Sequence, residues 1–295
     1  MIFSSKEKTL EITRHCIELQ SFEEKTLKIP SNFEIIMKSG GNNTGKPYFY
    51  FLKNSTTTDL YISIFSASGP KDLPSCFDME LTDFKGGKVH KGIYEGCKWI
   101  VEEIIPHLNE GNIICTGHSF GGAYAGILAM VLKIEHNKKA ISISFSPLPV
   151  VSEELQESLK GISISFVFSS DIIPRLTIQV MSEAVQMYGD TELVREVITQ
   201  LLGNVLEEEI MFCESETEKL SSTLPAVIEK LISITKKLPS VVLQVPGVAY
   251  HLCRDPTGNV QQKLFIPEPS FNFATLTHAI LNHNFVNYRE VFSFI

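Results

Sequence analysis

The sequence predicts an α/β domain built on a largely parallel sheet, with a helical insertion late in the chain. Three observations predict it. Between residues 60 and 168, short apolar runs rich in β-branched and aromatic residues alternate with longer stretches whose apolar residues recur at helical spacing. One of these runs, at 112–116, leads straight into GHSFGG and then a helix-forming segment. From about 178 to 238 no strand-like run is present, and apolar residues recur three or four apart. The 295 residues suit one large domain, read here as 1–295 with the insertion at about 178–238.

Taken in order, residues 1–28 read as helical, and Pro30 and the following GGNNTG mark a loop. Residues 48–52 and 60–65 read as strands, being aromatic and β-branched and bounded by polar turns. Residues 91–108 read as a helix, with Ile93, Trp99, Ile100, Ile104 and Ile105 forming its apolar stripe. A strand at 112–116 precedes a helix from about Gly122 to His136, and strands follow at 140–145 and 162–168. In the insertion, Val194, Val197, Ile198, Leu201 and Leu202 keep helical spacing, and a polar break falls at 214–217. VVLQV and GVAYHL read as strands, and a final helix spans about 275–294.

Composition narrows the function classes. A formal net charge of −8 and the lack of any basic run argue against nucleic-acid binding. The first residues, MIFSSKEKTLEITRH, lack the apolar centre of a signal peptide, and no run of about 18 apolar residues reads as a membrane span. The six cysteines form no CxxC pair, which argues against a zinc site. These features point to a cytoplasmic protein with reduced thiols.

Gly117-His118-Ser119-Phe120-Gly121 fits G-x-S-x-G. A serine hydroxyl is a weak nucleophile until a base takes its proton, and it must project from the sheet edge into a site. A tight strand-to-helix turn achieves this, and flanking glycines remove Cβ atoms that would collide. The N-terminus of the following helix offers positive charge to an oxyanion. A motif this short arises by chance; the strand before it and the helix-forming run after it raise its weight.

From about Tyr61 to Tyr288 a series of short motifs resembles, in order, the class 3 lipases, the fungal-lipase-like family that includes diacylglycerol lipases. The resemblance implies an α/β-hydrolase fold with Ser119 as nucleophile. Val89-His90-Lys91-Gly92-Ile93 is similar to the family's V-H-x-G-[FI], which makes His90 structural. Ile64-Phe65-Ser66-Ala67-Ser68 stands where the family has [VI]-F-R-G-[ST], so Ser68 matches one oxyanion-hole donor and the Phe120 backbone N–H would be the other. Ser66 in place of Arg and Ala67 in place of Gly depart from the pattern. Phe168-Ser169-Ser170-Asp171-Ile172-Ile173-Pro174-Arg175-Leu176 resembles V-N-x-x-D-x-V-P-x-L, which makes Asp171 the triad acid; as residues alone it also reads as a turn before proline.

His251, His278 and His283 all follow the acid in chain order, as a base should. Asn282-His283-Asn284-Phe285-Val286-Asn287-Tyr288 resembles D-H-x-[ML]-x-x-Y, which favours His283, with Asn282 replacing the family's Asp. His251 reads better as a histidine carried on a strand.

A Ser119–His283–Asp171 triad would cleave a fatty-acyl ester through an acyl-enzyme, with no metal or organic cofactor. The implied substrate is an acylglycerol or related lipid, and such a substrate suits peripheral contact with a membrane or lipid droplet. Residues 69–87, with Leu73, Phe77, Met79, Leu81 and Phe84, read equally as a lid or as core. The insertion would roof the site or pack in the core. Two other functions compete. One is a catalytically silent lipase-like scaffold binding protein partners, suggested by the altered F-R-G-[ST]. The other is an acyltransferase using the same acyl-enzyme.

Overall fold

The structure is a computed structural model describing residues 5–21, 29–39, 46–65, 80–108, 111–177, 241–266 and 276–293, together with Glu229 and Ser233. In chain order the strands are β1 (Phe33–Ser39), β2 (Tyr48–Asn54), β3 (Leu60–Phe65), β4 (Leu81–Phe84), β5 (Gly87–His90), β6 (Asn112–His118), β7 (Lys139–Phe145), β8 (Val151–Ser152), β9 (Ser163–Phe168), β10 (Leu243–Gln244), β11 (Val248–Arg254) and β12 (Val260–Leu264). The helices, numbered in the same way, are α1 (Lys6–Gln20), α2 (Lys91–Ile104), α3 (Phe120–Ile134), α4 (Glu153–Leu159), α5 (Leu276–Leu281) and α6 (Phe285–Ser293).

Eight strands form one sheet in the order β1-β2-β3-β6-β7-β9-β11-β12. β3, β6, β7, β9 and β11 run parallel, while β1, β2 and β12 add antiparallel edges. A small sheet, β10-β8-β5-β4, lies apart from it. Alternation along the central strands divides the core into two layers. Ile62, Ile64, Ile113 and Cys115 join the layer containing α2 and α3. Tyr61 and Ile114 turn to the opposite layer, with residues of α1 and α6. Burial on both faces suits the apolar runs of β3 and β6, whereas β7 and β9 alternate with Ser142, Ser144, Ser163 and Ser165, which are buried all the same and hydrogen-bonded.

α3 is buried at every position from Phe120 to Leu132, so it is hydrophobic all round rather than amphipathic. α2 is one-sided: Ile93, Cys97, Ile100, Val101 and Ile104 are buried at helical spacing. Its N-cap is His90, whose Nδ1 accepts the Ile93 backbone N–H at 3.2 Å, giving that histidine the structural place expected of it.

Several boundaries differ from the sequence expectation. The predicted final helix is two helices, α5 and α6, separated by Asn282-His283-Asn284. Asn284 Oδ1 accepts the Val286 N–H at 2.9 Å, and Asn287 Nδ2 donates to the Leu281 carbonyl at 2.9 Å. Side chains thus take up the backbone groups that a continuous helix would have paired. β1 and β12 were not anticipated. β1 is exposed at most positions, and residues 261–264 of β12 are exposed, as edge strands can be without an apolar pattern. Of the 69–87 segment, Leu81 and Phe84 are described; they lie in β4, and Phe84 is in the core. Leu73, Phe77 and Met79 lie outside the described residues, as does nearly all of 178–238, where Glu229 and Ser233 are helical. Among the described residues no helix is long and apolar enough to cross a membrane. None of the four described cysteines is in a disulfide.

Candidate active site

The site is built from the C-terminal ends of three neighbouring parallel strands. β6 ends at His118, β7 at Phe145 and β9 at Phe168, and His118 pairs with Phe145, which pairs in turn with Phe166. Ser119, Ser146 and Ser169 each follow one of these ends, and each has a positive φ, of 55°, 48° and 45°. They are three of the six described non-glycine residues in that region of backbone space. Strain at one edge of a sheet points to function, because a packed fold otherwise relaxes it.

Ser119 is fully buried, with its N–H donating to the Phe145 carbonyl at 3.0 Å and its carbonyl accepting the Ala123 N–H at 3.1 Å. The glycines around it are dictated by contact. A Cβ on Gly117 would lie 2.1 Å from the Gly121 carbonyl carbon, and a Cβ on Gly121 would lie 2.3 Å from the Ile64 carbonyl oxygen. Turn, helix and β3 therefore pack backbone to backbone. Phe120 opens α3, so the positive end of a helix sits at the serine.

Asp171 lies in the loop after β9 and is fully buried. His283 lies in the break between α5 and α6, and its Nδ1 is 3.2 and 3.4 Å from the two Asp171 oxygens. The Tyr288 hydroxyl donates to Asp171 Oδ2 at 2.7 Å and accepts the Phe168 N–H at 2.9 Å. The Ile173 N–H donates to Asp171 Oδ1 at 3.1 Å. Arg175 fixes the loop from below by donating to the Asp171 and Ser169 carbonyls. Asn282, which replaces the expected Asp, donates to Ser170 Oγ at 2.8 Å, so it too braces this loop. Burial works to raise the Asp171 carboxyl, but the His283 charge and the hydrogen bonds from His283, Ser146 and Tyr288 outweigh it and hold the group below its usual range.

The structure thus brings Asp171 and His283 together, and brings Ser119 to the same strand edge. The Ser119 Oγ is buried and makes no hydrogen bond among the described residues. His251 is on β11 with Nε2 2.6 Å from the Ser169 carbonyl, and His278 is exposed on α5. Ser68, Ser66 and Ala67 lie outside the described residues.

Two residues of the site were missed in the sequence. Ser146 is fully buried with its Oγ 2.8 Å from His283 Nδ1. His118 stacks on His283, with centroids 4.5 Å apart, and its Nε2–H donates to the His283 carbonyl at 2.9 Å. The sequence signal for His118 was its place beside Ser119; Ser146 had none beyond a serine directly after a strand.

Burial, reinforced by the neighbouring His283, pushes His118 down to about 3. The ring stays neutral in the folded protein, whereas in the unfolded chain it binds a proton near pH 6.5. Its stabilising contribution is complete above that value and is lost as pH falls from 6.5 toward 3. The melting temperature should fall across this window, and fall less steeply in His118→Phe. Equal slopes for the two proteins would refute the assignment.

Residues 56–181 match the family model for lipase (class 3). By this match the segment belongs to the class 3 lipase family. The lipase segment holds Ser119, Ser146 and Asp171, while His283 lies beyond it. With its parallel strands, the tight turn at Ser119 and α3, it has the α/β-hydrolase fold. Similar solved structures include a lipase from Rhizopus microsporus var. chinensis, 18% identical, covering 59% of this chain and 70% of that one, with a TM-score of 0.48. Another is a mono- and diacylglycerol lipase from Aspergillus oryzae, 15% identical, covering 59% and 74%, with a TM-score of 0.49. No curated protein matches the sequence.

Proposed function

We propose that this lipase-family protein is a serine ester hydrolase that cleaves fatty-acyl esters of acylglycerols or related lipids. The observation that carries the reading is the fully buried Ser119, held at φ 55° at the head of α3 on the strand edge where His283 meets Asp171. In this reading Asp171 holds Nδ1 of His283, and the opposite ring nitrogen takes the Ser119 proton as Oγ attacks the ester carbonyl. The Phe120 N–H and the Ser68 position stabilise the oxyanion. Water then releases the acid from the acyl-enzyme, with His283 again the base.

The unbonded Ser119 Oγ favours a second reading, a silent scaffold. Catalytic hydrogen bonds are often long before substrate binds, so the hydrolase reading stands first. Covalent labelling by a fluorophosphonate probe, with and without detergent micelles, separates the two. Labelling of the wild type that is absent in Ser119→Ala supports the hydrolase. No labelling of folded protein in either condition supports the scaffold.

A further inference from the structure

The geometry points to Ser146 as a positioning residue for the base: its hydroxyl shares the Nδ1 proton of His283 with Asp171. This rests on the reading of His283 as the base. Three observations carry it. First, Ser146 Oγ is nearer to His283 Nδ1, at 2.8 Å, than either Asp171 oxygen, at 3.2 and 3.4 Å. Second, Ser146 has φ 48°, a conformation that glycine adopts without strain, yet the chain holds a hydroxyl there. Third, the backbone that presents it is fixed, because the Ser146 N–H donates to the Phe166 carbonyl at 2.8 Å.

The hydrogen bonds can be assigned in one consistent direction. Nδ1–H of the neutral ring donates to Ser146 Oγ as well as to Asp171, and the Ser146 O–H donates to the carboxylate. When the opposite nitrogen gains a proton, the same set holds the imidazolium, and no proton leaves Nδ1. Ser146 also helps hold the Asp171 carboxyl down, beside the donation from Tyr288. It is unsuited to be the nucleophile itself, because it occupies the nitrogen that faces Asp171 and a nucleophile needs the other one.

Among the described residues, the groups facing His283 include Asp171, Ser146 and the stacked His118, with Tyr288 behind the carboxylate. Burial holds His118 down to about 3, well below the range in which an ordinary imidazole titrates. Loss of the Ser146 hydroxyl removes an acceptor from the imidazolium and lowers the His283 pKa, by about one pH unit for a hydrogen bond to a charged group.

The test uses Ser146→Gly, which removes the hydroxyl and relieves the backbone, and Ser146→Ala, which removes the hydroxyl and keeps the strain. His283 is titrated by NMR of its imidazole nitrogens, assigned with His283→Gln, and the pH profile of kcat/KM is recorded on a p-nitrophenyl ester. In both variants the titration, and the acid limb of the profile with it, should move down by about one unit. Ser146→Gly should keep the wild-type melting temperature or exceed it. An unmoved His283 titration in folded Ser146→Gly overturns the proposal, whatever happens to stability. A wild type that hydrolyses nothing and is not labelled refutes the hydrolase reading instead, and the NMR titration still decides whether Ser146 holds the ring.

Discussion

Ser119→Ala and His283→Ala are each expected to lower kcat by about 10⁶-fold, and the double variant should fall no further. The expectation follows from dependence: a serine without its base is a poor nucleophile, and the base without the serine has no proton to take. Asp171→Asn should cost less, about 10⁴-fold, because the nucleophile and base remain while the ring loses the charge that orients it. The oxygen of the new amide can still accept from Tyr288 or from the Ile173 N–H, so the loop keeps its shape. Initial rates on a soluble ester, with each variant's folding checked by circular dichroism, test the set. Single losses that multiply in the double variant would mean that Ser119 and His283 act separately, and the triad would be abandoned.

Gly117→Ala and Gly121→Ala should each destabilise the fold by more than about 4 kcal/mol, or prevent folding. The obstruction is backbone on both sides. At Gly117 the new methyl meets the Gly121 carbonyl carbon and oxygen at 2.1 and 2.2 Å, and the Gly122 nitrogen at 2.6 Å. At Gly121 it meets the Ile64 carbonyl oxygen at 2.3 Å, in the strand paired with β6. No rotamer change relieves either collision, so the turn must open or β3 must separate from β6. Gly111→Ala is the control: its nearest atom would be 3.8 Å away, and its cost should stay within about 0.5 kcal/mol. Denaturant midpoints compare the three; wild-type midpoints for Gly117→Ala or Gly121→Ala would show that the turn has slack.

Most of the parallel sheet was legible because its strands are short, rich in β-branched and aromatic residues and bounded by turns, even where β7 and β9 alternate with buried serines. β12 was not, because VQQKL is an edge strand with little apolar burial to mark it. The serine was legible through its local neighbours, the glycines. The His283 loop read as part of a helix because a break made by Asn284 and Asn287 side chains looks, in one dimension, like two polar helical positions. Ser146 is 137 residues from its partner His283, and no spacing rule connects positions that meet only through the ends of different strands. His118 was visible only as the variable residue of G-x-S-x-G, although its ring stacks on His283.

The two halves of this site are mounted very differently. Ser119 heads a helix buried at every position to Leu132, in the middle of the sheet, whereas His283 rides between helices of six and nine residues, flanked by the exposed Leu281 and Val286. On the triad reading proposed above, the serine is as durable as the fold, and the histidine only as durable as the break between two short helices that carries it. Warming is then expected to silence hydrolysis before the fold melts, and cooling to restore it without a refolding step.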